Sequence, residues 1–119
     1  MSARKSRGMT QDEARAFALS LPDTTEQSHM GRPDLRVQNK IFLTLPPDGR
    51  TVNLKSSSNN LAALVASDPE AYRDVWGGRW VCVTLERVEA DALRALIVDA
   101  WRLAAPRALA RAHRSTLGV

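Results

Sequence analysis

Apolar residues along the chain change period several times, and each change marks an element. From Thr10, the positions Ala14, Phe17, Ala18 and Leu21 recur at helical spacing, with Thr10 and Glu13 set as a capping box, so a first helix is predicted to about Ser20. Leu21-Pro22-Asp23 ends it. Thr24 to His29 is polar with a strand-like pattern that suits a sheet edge, and Gly31-Arg32-Pro33 is expected to break the chain before Asp34-Leu35-Arg36-Val37, because proline lacks an amide donor and holds its predecessor extended. Ile41 to Leu45 and Thr51 to Lys55 alternate as strands on either side of the reversal at Pro46-Pro47-Asp48-Gly49-Arg50. Ser56 to Asn60 offers N-caps for a helix carrying Leu61, Leu64 and Val65, followed by a short strand near Ala71 to Val75, a turn at Trp76-Gly77-Gly78-Arg79 and a strand from Trp80 to Leu85. The strongest stripe, Leu93, Leu96, Ile97, Ala100, Trp101 and Ala104, predicts a long helix over about Glu89 to Ala104, and Pro106 opens a further short one.

Alternation also predicts a register. If Ile41, Leu43 and Leu45 face the core opposite Leu35 and Val37, the loop must span three residues, Gln38 to Lys40. Arg36, Phe42, Thr44, Thr51, Asn53 and Lys55 then share the opposite, open face. Helices with one apolar stripe and strands with one apolar face need each other, which predicts an α+β domain: a two-layer arrangement of an antiparallel sheet of four to six strands with helices packed on one face.

The length of 119 residues suits one domain, expected over residues 9–119 behind a basic, disordered lead at 1–8. No apolar run approaches the roughly 20 residues of a membrane span, and no apolar segment of a secretory leader follows the basic start, so a cytoplasmic location without membrane contact is expected. The single cysteine, Cys82, excludes an intramolecular disulfide and a multi-cysteine metal site, and its strand context predicts a buried structural thiol. Of the net charge of +4, seven cations lie at the ends (Arg4, Lys5, Arg7, Arg102, Arg107, Arg111, Arg114), which leaves residues 9–101 at −3. Within that acidic middle, Arg32, Arg36, Lys40, Arg50 and Lys55 outnumber Asp34 and Asp48, so any polyanion site must be local.

Signatures of catalysis are missing: the chain has no phosphate-binding glycine loop, no metal-ligand pair at helical spacing and no serine elbow, so neither a cofactor nor a metal is expected. A base formed by His29 and Asp34 across the turn competes with a plain turn-capping histidine. The open face offers more. Arg32, Arg36, Lys40 and Lys55 can neutralise phosphates while Phe42 supplies a ring for stacking, the combination used by single-strand binders. Arg107, Arg111 and Arg114 would share one side of the last helix, either along a phosphate backbone or in solvent. Trp76, Trp80 and Trp101 have apolar neighbours and are expected in the core or at its rim.

The stretch Ser28 to Val37, the Lys40-Ile41-Phe42 hairpin, Val52-Asn53-Leu54-Lys55, Trp80-Val81-Cys82-Val83 and the helix from Leu93 to Leu103 together resemble the MmcQ/YjbR family of small bacterial proteins over roughly residues 10–105. Met30 stands where such proteins usually carry an aromatic residue, and Asn39 where glycine is common. The resemblance implies a fold similar to that of secretion chaperones and a comparison with double-wing DNA binders, and it brings no catalytic residue or cofactor. The expectation is thus a non-enzymatic nucleic-acid-binding (DNA-binding) domain. Its rival is a protein-interaction or chaperone-like module that engages a protein partner, or a second copy as a homodimer, through the same face.

Overall fold

Local capping starts the domain. In the computed structural model, which describes residues 8–113, the Thr10 hydroxyl accepts from the Glu13 amide at 3.0 Å while the Thr10 amide donates to the Glu13 carboxylate at 2.9 Å. That reciprocal cap opens helix α1, Gln11–Leu19. Strands β1 (Thr24–His29), β2 (Arg32–Val37), β3 (Lys40–Thr44) and β4 (Thr51–Lys55) follow as an antiparallel meander. Helix α2 (Ser58–Ser67), N-capped by the Ser57 hydroxyl, leads to β5 (Tyr72–Val75) and β6 (Trp80–Thr84). Helices α3 (Ala90–Ala104) and α4 (Arg107–Ala112) complete the described chain. The six strands pair antiparallel in the order β1-β2-β3-β4-β6-β5.

The helices lie on one face of that sheet. Helix α3 crosses β2, β3 and β4 and buries Leu93, Ile97, Val98, Ala100, Trp101 and Ala104, while α1 packs against α3 and the β1–β2 end. Trp101 has no exposed surface, and its indole N–H donates to the Pro22 carbonyl at 2.9 Å, so its one polar atom is satisfied inside the core. Phe17 is only partly buried at the edge of this layer. Among the described residues no helix is long and apolar enough to cross a membrane.

The hairpin between β2 and β3 departs from the expected register. Gln38 and Asn39 both have positive φ, 49° and 71°, which makes a two-residue turn of the kind whose twist matches antiparallel strands, not a three-residue loop. Lys40 therefore pairs with Val37 as a strand residue, Arg36 pairs with Ile41, and Leu35 pairs with Leu43, so Phe42 is the extra residue of a bulge. The bulge exchanges the expected places of Ile41 and Phe42: Ile41 joins Arg36 on the open face, and Phe42 turns into the core with Leu43. Beyond it alternation resumes as expected, with Thr44 outward and Leu45 buried. The β1–β2 connection is likewise a two-residue turn, at Met30 and Gly31, so β2 starts at Arg32 and takes in Pro33 where a break was expected.

Asp48 organises the β3–β4 loop. Its carboxylate accepts from the Arg50 amide at 2.8 Å, the Thr51 amide at 3.1 Å and the Thr51 hydroxyl. The Arg50 amide above all holds its pKa below the ordinary value. A carboxyl with a lowered folded-state pKa stabilises above its unfolded value near pH 4, and that contribution is lost as pH falls through the folded value. Asp48→Ala is expected to cost about 1 kcal/mol at pH 7, discounted for solvent screening. The difference between variant and wild type should shrink below about pH 4 in urea melts; a difference independent of pH would exclude the carboxylate as its source.

Candidate functional site on the open face of the sheet

Strand alternation decides what faces away from the helices. From β2 these are Arg32, Asp34 and Arg36; from β3, Ile41 and Thr44; from β4, Thr51, Asn53 and Lys55; from β5 and β6, Arg73, Val75, Trp80 and Cys82. Four cations thus stand with one carboxylate on these strands. Arg36 and Asp34 form a bidentate pair, Nε to Oδ1 at 2.8 Å and Nη2 to Oδ2 at 3.1 Å, with Asp34 only 2% exposed. The bond to Asp34 raises the guanidinium pKa above its ordinary value. The charge of Arg36 is therefore already answered within the protein, unlike that of exposed Arg32.

Beside this pair the face hollows into a cup of about 160 Å³. Asn53, Thr44 and Asp34 supply its polar groups, Ile41 and Leu45 its apolar side, and Trp76 a wall, with Arg32 at the margin. Asn53 is 8% exposed, and its side-chain amide donates to the Thr44 hydroxyl at 3.1 Å across the β3–β4 pairing. Trp76 comes from the β5–β6 turn, where it, Gly77 and Gly78 all have positive φ, and the Gly78 amide is tied to the Asp74 carboxylate at 2.9 Å. A positive φ at a bulky residue is costly, and here it accompanies an indole that is 61% exposed. Trp80 supports it edge to face, ring centroids 5.5 Å apart at 68°, and Lys55 Nζ lies 5.7 Å from the Trp80 ring centroid.

The expected site residues are thereby divided. Arg32 and Lys55 stand on the open face as expected, and Arg36 is there but engaged. Phe42 is fully buried and cannot stack on a ligand. Lys40, carried to the helix side by the shorter turn, borders a broad groove of about 800 Å³ with Arg102, Arg107 and Arg111. Arg102 also pairs there with Asp99 at 3.5 Å. Arg107 and Arg111 do share that groove, while Arg114 lies outside the described residues, as does the stretch 1–7.

Of the His29 and Asp34 pair, Asp34 stands opposite Gln27 and both its oxygens accept from Arg36. Cys82 is buried as expected, with Arg73 Nη2 at 3.4 Å from its sulfur. Among the described residues no group of three or more His, Cys, Asp or Glu side chains could hold a metal ion.

Trp76 and Arg73 are the functional candidates that pattern alone left out, whereas alternation placed Thr44 and Asn53 on this face without giving them a role. Apolar neighbours suggested that Trp76 belonged to the core or its rim. The available signal was the Gly77-Gly78 pair after it, which permits a tight turn able to lift the preceding side chain out of the sheet.

Comparison with known proteins reaches the same architecture. The model of the YjbR family matches residues 19–103. A solved structure of the Deinococcus radiodurans protein DR2400, described by its DUF419 domain, is 20% identical with a TM-score of 0.75, covering 98% of this chain and 93% of that one. A Pseudomonas syringae protein is 16% identical with a TM-score of 0.68, covering 81% of this chain and 99% of its own. At these identities the likeness is one of fold. No curated protein matches.

Proposed function

The chain belongs to the YjbR family, and we propose that it binds single-stranded nucleic acid on the open face of its sheet, with Trp76 as the stacking group and Arg32, Lys55 and Arg73 on phosphates. One observation carries this: an indole 61% exposed and braced by a second tryptophan stands on a face whose only strand carboxylate is sealed beneath Arg36. Every base has a flat π-face, so a braced indole with cations around it suits a strand of any sequence. A duplex hides those faces in its stack.

Affinity for a labelled single-stranded oligonucleotide should fall steeply with added salt. The double variant Arg32→Ala, Lys55→Ala should flatten the log–log slope by roughly 1.4, about 0.7 for each single-strand phosphate that is no longer neutralised. Changing Arg107 and Arg111 to alanine serves as the control, because they belong to the helix-side groove. If that pair flattens the slope and Arg32 with Lys55 does not, the strand runs over the helices and the sheet face is not the site.

A further inference from the structure

We propose that the helix side of the sheet carries a separate site for a soluble amphiphile, a medium-length alkyl or acyl chain ending in a phosphate. It does not rest on the strand-binding proposal. Helix α3 crosses β2, β3 and β4 while α2 packs against β5, and between them lies a slot of about 250 Å³. Leu54 and Val81, paired across β4 and β6, line it together with Ala63 and Leu64 of α2 and Leu96 and Leu103 of α3. An apolar cavity of roughly 150 Å³ holds the six carbons of benzene, so in proportion this slot takes about ten.

The slot is continuous with a cationic groove. Asn60, Asp99 and Leu103 line both the slot and the groove of about 800 Å³ beside α4. Leu96, Asp99 and Leu103 recur at i, i+3 and i+7, so one side of α3 leads from the first into the second. Leu103 is 47% exposed there, an apolar side chain that the core does not cover. Lys40, Arg102, Arg107 and Arg111 border the groove against Asp99 alone, and Arg102 answers that carboxylate at 3.5 Å. Among the described residues Lys40, Arg107 and Arg111 have no ion-pair partner. Three such cations suit a phosphate ester, with about two charges and three acceptor oxygens, better than a single carboxylate. A bare anion would leave the slot unfilled, and a neutral hydrocarbon would leave the cations unanswered. A chain already buried in a bilayer gains no apolar burial by entering the slot, which favours a free molecule over a membrane surface.

Calorimetric titration of the full chain with octyl phosphate below its micelle concentration, compared with inorganic phosphate and with octanol, tests the joined site. Octyl phosphate should bind at least about tenfold more tightly than either half, since burial of a few methylenes already supplies that factor. In a series of alkyl phosphates, affinity should climb by about fourfold for each added methylene and level off at about ten carbons. That series reads the slot without any substitution. Ala63→Phe, made at an exposed position of α2, should fill the slot and bring octyl phosphate down to the affinity of inorganic phosphate. Arg107→Ala with Arg111→Ala should weaken octyl phosphate by at least about tenfold through the lost charged hydrogen bonds, and circular dichroism verifies the fold of both variants. The proposal falls if octyl phosphate binds no more tightly than inorganic phosphate, if either folded variant binds it as the wild type does, or if affinity keeps climbing beyond the capacity of the slot. Sedimentation with phosphatidylglycerol vesicles tests the other source of a phosphate-headed chain. Protein that pellets with vesicles and ignores monomeric octyl phosphate recognises a membrane surface, which also overturns the site.

Discussion

Phe42→Ala is expected to destabilise the domain by about 3–5 kcal/mol, a large part of the roughly 5–15 kcal/mol that holds a domain of this size together. The ring has no exposed surface and sits in the single core cluster, so its removal takes away apolar burial and leaves a cavity beside Leu43. Urea denaturation would read this as a fall in midpoint, and Phe42→Leu should recover most of the loss because it keeps most of the apolar volume. A midpoint unchanged in Phe42→Ala would mean that the bulge turns the ring to solvent. Any loss of nucleic-acid affinity in this variant belongs to unfolding, and at a temperature where the variant is folded the affinity should be that of the wild type.

Trp76→Ala is expected to behave in the opposite way, weakening single-strand binding by about 1–3 kcal/mol, which is roughly 5- to 150-fold in dissociation constant, with little change in melting temperature. Its indole is mostly in solvent, so little burial is lost on truncation. If the face serves a protein partner or a second copy instead, the same substitution should shift sedimentation and leave oligonucleotide titrations unchanged. Arg36 is a poor probe for either test. Removing its guanidinium strips a buried carboxylate of both its partners, so Arg36→Ala would disturb the fold and the face together, whereas Arg32 and Lys55 can be removed without uncovering a buried charge.

Periodicity exposed most of the fold because each long helix has one stripe and most strands alternate cleanly. The capping box at Thr10, the edge character of β1 and the burial of Leu93, Ile97 and Trp101 all follow from side-chain type and spacing. The site was less legible, and the cause lies in two backbone residues. Gln38 and Asn39 can both adopt positive φ, which shortens the turn by one residue, and a bulge then absorbs the difference at Phe42. Neither event alters hydrophobic pattern, yet together they send Phe42 inward and Lys40 to the helix side. The pairing of Asp34 with Arg36 was hidden for a related reason: residues two apart share a strand face, and only the burial of the carboxylate shows that the guanidinium bonds it and not a ligand.

The strand order carries a consequence for how the molecule meets its neighbours. An open sheet ends in two rows of unpaired backbone groups, and such rows template strand addition and fibril growth unless they are made unattractive. Here one end is β1, whose Thr-Thr-Glu-Gln-Ser-His sequence has no aliphatic side chain to hold an added strand, and the other is β5, only four residues long with Arg73 and Asp74 exposed at its centre. An intruding strand would gain backbone hydrogen bonds at either end, but beside β1 it would meet no aliphatic side chain and at the centre of β5 only charged ones. Chain-to-chain zippering is thereby discouraged at both margins, even though no helix among the described residues covers the broad face between them.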